Sequence, residues 1–137
     1  MNITELGEYL ALKKEIELKR EEVQSVKCDI LACIDTSERI ITRGDVSRQE
    51  RRLVQLERLA EELIRDIKKC EERRKRIEEY IAAIPDSRTR SVFVLRFLRG
   101  MSWRRIALRL GGGNTSDSAK KICYRYLKKA GGNGSHR

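Results

Sequence analysis

A chain of 137 residues with a single proline, 38% charged side chains and almost no alternating apolar pattern is expected to be all-α and to hold one or two small domains. Its polar, acidic start MNITELGEYL predicts no secretory signal, and no apolar run approaches the roughly 18 residues of a membrane span, so a cytoplasmic location without a membrane partner is expected. The net charge of +10 is confined to one end: residues 86–137 carry thirteen Lys and Arg against Asp86 and Asp117 alone, which makes that segment +11 and the first 85 residues −1. An acid-poor segment repels itself, and an anionic partner is the usual compensation.

The first helix is expected over about residues 4–34, with Thr4 as N-cap and Glu5 and Glu8 in the first turn. Tyr9, Leu12, Ile16, Lys19, Val23, Val26, Ile30 and Cys33 then follow steps of three and four, a coiled-coil seam broken only at Lys19. Residues Asp35 to Val46 lack that spacing, contain Gly44 and predict a loop. Ser47 and Glu50 form a capping box for a second helix over 47–84. Its seam is the cleanest pattern in the chain: Leu53, Leu56, Ala60, Leu63, Ile67, Cys70, Arg74, Ile77, Ile81 and Ile84 step three and four without a miss, and only Arg74 is polar. Residues 1–84 therefore read as a two-helix coiled-coil stalk. Its stripe serves either an antiparallel hairpin within one chain or a homodimer, in which Arg74 would set register. The homodimer is expected, because operators read by paired domains are commonly palindromic.

Pro85 stops this helix, and Asp86 or Ser87 caps the next. Val92, Leu95 and either Phe97 or Leu98 recur at helical spacing before Gly100 ends the segment. Ser102 restarts the chain into a short helix with Trp103, Ile106, Ala107 and Leu110 on one face and Arg104, Arg105 and Arg109 on the other. Gly111, Gly112, Gly113 and Asn114 form a turn. Thr115 then caps a last helix whose buried face is Ala119, Ile122, Cys123 and Tyr126. Two short helices joined by a glycine turn, with another packed behind them, is a helix-turn-helix layout over 85–130. The remaining residues, 131–137, are expected to be disordered.

The order Ala83-Ile84-Pro85, Arg90-Ser91-Val92, Leu95-Arg96-Phe97, Gly100-Met101-Ser102-Trp103, Ile106-Ala107 and Leu110-Gly111 resembles region 4 of bacterial sigma factors over roughly residues 80–130. Region 2 of a sigma factor has no counterpart, so the chain looks like the small phage and prophage transcription regulators that carry a region-4-like domain alone. It departs from that pattern in the turn, where Gly111 to Asn114 add about two residues, and in the last helix, where Ser116 and Ser118 replace long charged residues. The resemblance implies a double-stranded DNA partner, with RNA polymerase as a further one. Carried over by position, it nominates Asn114, Ser116, Asp117, Lys120 and Lys121 to face base edges. Lysine can donate to guanine, Asp can accept from cytosine, and Ser is permissive. Arg104, Arg105, Thr115, Arg125, Lys128 and Lys129 are nominated for phosphates, a role that needs mainly charge and reach.

Catalysis, cofactors and metals are not expected. The only histidine is His136 in the tail, no nucleotide-binding G-x-x-x-x-G-K-S/T loop occurs, and no strand precedes the glycine run. Cys28, Cys33, Cys70 and Cys123 form no C-x-x-C pair, and the last three lie on apolar stripes as small core residues. Trp103 is in phase with the core of its helix and is assigned there rather than to base stacking. A sequence-specific transcription regulator is thus expected. Two alternatives share the residues: a DNA-packaging subunit like the small terminases, and a coiled-coil protein that binds nucleic acid without sequence preference.

Overall fold

The computed structural model describes residues 1–39 and 43–135, with side chains described over 1–35 and 47–131. Among the described residues the fold is all-α: α1 (Ile3–Gly7), α2 (Tyr9–Arg39), α3 (Arg43–Ala82), α4 (Ser87–Phe93), a π-helical turn (Val94–Leu98), α5 (Trp103–Leu110) and α6 (Ser116–Ser135). Two compact units form, Lys14–Glu71 and the combination of Met1–Lys13 with Glu72–Arg137.

The Lys14–Glu71 unit is an antiparallel helical hairpin. Cys33 donates from Sγ to Gln49 Oε1 at 3.3 Å, Lys19 pairs with Asp66 at 3.8 Å, Cys70 donates to Glu15 at 3.4 Å and Arg20 pairs with Glu71 at 3.5 Å. From Glu15 with Cys70 at one end to Cys33 with Gln49 at the other, partner numbers on α3 fall overall as those on α2 rise, as they do between antiparallel helices. The two apolar stripes meet: Ile16, Val23, Val26 and Cys33 are buried on α2, and Leu63, Ile67 and Cys70 on α3. Removal of an aliphatic side chain of this size from water contributes about 1.5–3 kcal/mol. The stripe that the sequence offers to a second copy is thus covered within the chain here. Lys19, the break in the seam, lies half-buried between Glu15 at 3.7 Å and Asp66.

The helices run further into the expected loop than their apolar spacing does. Helix α2 continues to Arg39 and α3 begins at Arg43, so Ser47 lies inside α3 and is not its cap, while residues 40–42 lie outside the described ones. A helix already under way gains one hydrogen bond for each further residue, so a polar stretch can extend it without burying anything.

In the other unit the chain starts one cap earlier than expected. Asn2, not Thr4, accepts from Glu5 N at 2.8 Å, and Leu6 of α1 is fully buried. Tyr9 donates its hydroxyl to Glu78 at 2.6 Å, and Arg73 pairs with Glu8, so the start of α2 again runs antiparallel to the end of α3. Burial first, and then the Glu78 bond, raise the Tyr9 phenol above its ordinary range. Beyond Pro85, Asp86 caps α4 by accepting from Thr89 N at 2.9 Å. A π-helical turn follows, and Phe93 and Phe97, four residues apart, share the inner face with ring centroids 5.5 Å apart. Phe93 is fully buried, and of the two alternatives Phe97 and Leu98 it is Phe97 that enters the core. Tyr126 of α6 meets Phe93 edge-on at 5.5 Å and Tyr80 of α3 at 6.4 Å. Around these rings Ile81, Ile84, Val92, Ile106, Ala119 and Cys123 complete the core. Helix α6 continues to Ser135, past residue 131 where a disordered tail is expected; residues 136 and 137 lie outside the described ones. No helix among the described residues is long and apolar enough to cross a membrane.

Candidate nucleic-acid interface

Helices α5 and α6 pack on one another and are joined by a glycine turn. Ser102 caps α5 by accepting from Arg105 N at 3.3 Å. At the other end Gly111, Gly112 and Gly113 take φ values of 68°, 61° and 75° in succession, a left-handed path that costs an L side chain about 1–2 kcal/mol at each residue. Thr115 then caps α6. Its Oγ1 accepts from Ser118 N at 3.2 Å while Thr115 N donates to Ser118 Oγ at 2.7 Å, a reciprocal box in which Ser118 stands where Glu is usual.

With Ala119 and Cys123 at zero exposure, the helical period turns Asp117, Lys120, Lys121, Tyr124, Arg125 and Lys128 outward. Asp117 is the single acid on this face and sits in the first turn, where the helix dipole favours it. The outer face of α5 is formed by Arg104, Arg105, Leu108 and Arg109, with the burial of Trp103, Ile106 and Ala107 opposite. Leu108 is 76% exposed, an apolar centre among guanidinium groups.

The nominated residues divide into two sets. Asp117, Lys120 and Lys121 share the exposed face of α6, as do Arg125 and Lys128, with Lys129 exposed at its edge; Arg104 and Arg105 are exposed on α5. Ser116 is half-buried. Asn114 and Thr115 are occupied by the fold: Asn114 Nδ2 donates to Gly111 O at 2.6 Å, its Oδ1 accepts from Arg88 Nη2 at 2.9 Å, and the Thr115 hydroxyl is spent on the cap. Tyr124, which the spacing sets off the Ala119–Tyr126 stripe where a surface hydroxyl can bond a phosphate, is exposed on this face, and the residue that sequence patterning leaves out is Leu108. For Leu108 a signal exists, since it falls opposite the Trp103–Ile106–Ala107 stripe on a helix whose other outward residues are arginines.

Behind the face, Arg96 lies with its guanidinium 4.7 Å from the Trp103 ring centroid and donates to Met101 O at 3.1 Å, which ties the π-helical turn to the start of α5. Trp103 is 8% exposed and belongs to the core. Burial pushes the Cys123 thiol up to about 12, so it stays protonated at neutral pH and acts as a packing group. No cluster of three His, Cys, Asp or Glu that could hold a metal occurs among the described residues. Comparison with family models, curated proteins and solved structures finds no match to the chain. The likeness to sigma region 4 therefore stands on its residues alone.

Proposed function

We propose that this protein is a sequence-specific double-stranded DNA-binding transcription regulator of the phage and prophage type, in which α5 and α6 act as a region-4-like helix-turn-helix. The observation that carries this proposal is the outward face of α6, where Lys120, Lys121, Arg125 and Lys128 are exposed and Asp117 is the single acid. A face so poor in acids suits a polyanion, and a helix that packs on another across a glycine turn suits a groove. Asp117, Lys120 and Lys121 are the base-reading residues, with Ser116 beside them. Arg104, Arg105, Arg125, Lys128 and Lys129 hold phosphates. Asn114 and Thr115 act indirectly, by setting the turn and the cap. The protein binds rather than catalyses, and works in the cytoplasm where the duplex is.

RNA polymerase is a second partner, and Leu108 with Arg109 beside it is the surface that it would use, because a duplex backbone offers nothing apolar to an exposed leucine. Self-association falls to the outer faces of the hairpin unit, where Leu18, Leu31, Val54 and Ile64 are each at least half exposed. The α2–α3 seam is already filled.

Selection of bound fragments from sheared genomic DNA at near-physiological salt tests the proposal, with the unaltered chain beside a Lys120→Glu, Lys121→Glu double variant. One enriched short site, lost in the variant, is the expected result. Salt-steep binding with no enriched site would show a non-specific or packaging protein instead.

A further inference from the structure

We propose that Tyr124 is an uncharged phosphate anchor of the α6 face, whose hydroxyl sets how α6 seats on the duplex. This role rests on the duplex-binding function proposed above and adds to it a residue that charge counting passes over. Tyr124 is 48% exposed and stands one helical turn from Lys120 and Lys121 on one side and from Lys128 on the other, so cations surround it along the exposed face. Its ring rests against Trp103 with centroids 6.4 Å apart and planes at 45°. Trp103 is itself held by the Arg96 guanidinium, which is anchored on Met101 O. A chain of packed groups thus fixes the Tyr124 ring before any ligand arrives, whereas each neighbouring lysine must freeze a flexible four-carbon stem to make a contact.

The hydroxyl has no hydrogen-bond partner among the described residues, in contrast to the Tyr9 hydroxyl on Glu78. A phenol is a donor that carries no charge, and hydrogen bonds to ionised oxygens are the short, strong ones. Of the acceptors a duplex offers, the phosphate fits best. Base edges are met by the first turns of a groove-inserted helix, and Tyr124 lies two turns into α6, level with Arg125 and short of Lys128.

Tyr124→Phe removes Oη and leaves the ring on Trp103. Duplex binding by the full chain is measured on sheared genomic DNA at several salt concentrations, with Lys128→Gln as comparator and thermal unfolding alongside. Tyr124→Phe is expected to bind every duplex about tenfold more weakly, with the slope against log salt and the Tm unchanged, since no charge and no packing are lost. Lys128→Gln is expected to weaken binding and flatten that slope by about one. Equal binding by Tyr124→Phe and the unaltered chain overturns the anchor while leaving the duplex-binding function in place. A lowered Tm accompanying the loss overturns it too, because the hydroxyl would then be acting in the fold. Absence of duplex binding by the unaltered chain removes the function and the anchor together.

Discussion

Arg88, in the first turn of α4, donates from Nη2 to Oδ1 of Asn114 at 2.9 Å and so ties the turn ahead of α6 to a helix 26 residues earlier. The same amide's Nδ2 is bonded to Gly111 O at 2.6 Å. Both ends of the Asn114 side chain are therefore committed to the turn. Asn114→Ala is expected to lower stability by about 1 kcal/mol in urea unfolding, as loss of exposed hydrogen bonds does, and to weaken binding to all duplexes alike. A variant of unchanged stability that loses discrimination at one base pair would instead make Asn114 a reader of bases.

Gly100 presents a different constraint. Its φ of 69° is left-handed, and a Cβ built there meets Leu10 Cδ1 at 2.6 Å. Leu10 is 43% exposed and can swing aside, so the clash is the smaller part and the backbone strain the larger. Gly100→Ala is expected to cost about 1–2 kcal/mol. The double variant with Leu10→Ala should recover little of it, and full recovery in urea unfolding would place the cost in the clash.

These two glycine-linked turns show where sequence is informative. Gly100 and the Gly111–Gly113 run mark their turns because left-handed backbone selects glycine, and the three-four stripe of α3 marks its buried face because coiled-coil packing repeats with that period. The outward set Asp117, Lys120 and Lys121 follows from the Ala119–Cys123 stripe by the same reasoning. Phe93 does not follow, because it stands next to Val92, off the Val92–Leu95 spacing, and is buried by its ring contacts with Phe97 and with Tyr126 of α6. Nor does the capture of Asn114 by Arg88, a tertiary contact that leaves no periodic trace. Asn2 and Thr4 are both good caps by type, and residue type alone does not say that Asn2 is the one that accepts from Glu5 N. The Ser47–Glu50 pair shows the converse, a capping pattern overrun by a helix that starts earlier at Arg43.

Asp86 makes the α4 cap sensitive to acid. Thr89 donates to its carboxylate from the backbone N at 2.9 Å and from Oγ1 at 2.7 Å, and these two bonds hold its pKa below the ordinary 3.8, with Arg88 and Arg90 adding to the effect. The folded state therefore favours the ionised form. The resulting stability is present above pH 3.8 and is lost as pH falls through the lowered folded value. Asp86→Asn keeps a capping side chain but cannot titrate. Unfolding curves of the two proteins between pH 6 and 2 should converge as acid is added, and a constant gap across that range would remove Asp86 as the cause.

Lys19 tests what the seam of the hairpin unit is worth. It occupies an apolar position with its side chain 24% exposed, and its ammonium group reaches Glu15 at 3.7 Å and Asp66 at 3.8 Å, both carboxylates being about half exposed. Pairs that exposed contribute about 0–1 kcal/mol each, because water and salt screen them, whereas a leucine at the same place would bury several methylenes at about 0.8 kcal/mol apiece. The apolar gain wins, so Lys19→Leu is expected to raise the urea midpoint by an amount equivalent to about 1 kcal/mol. Since Asp66 lies on the same chain, sedimentation should show no accompanying change in mass. A lower midpoint would mean that the Glu15–Lys19–Asp66 cluster outweighs apolar packing at this seam position, and that Lys19 is what holds α2 and α3 in register.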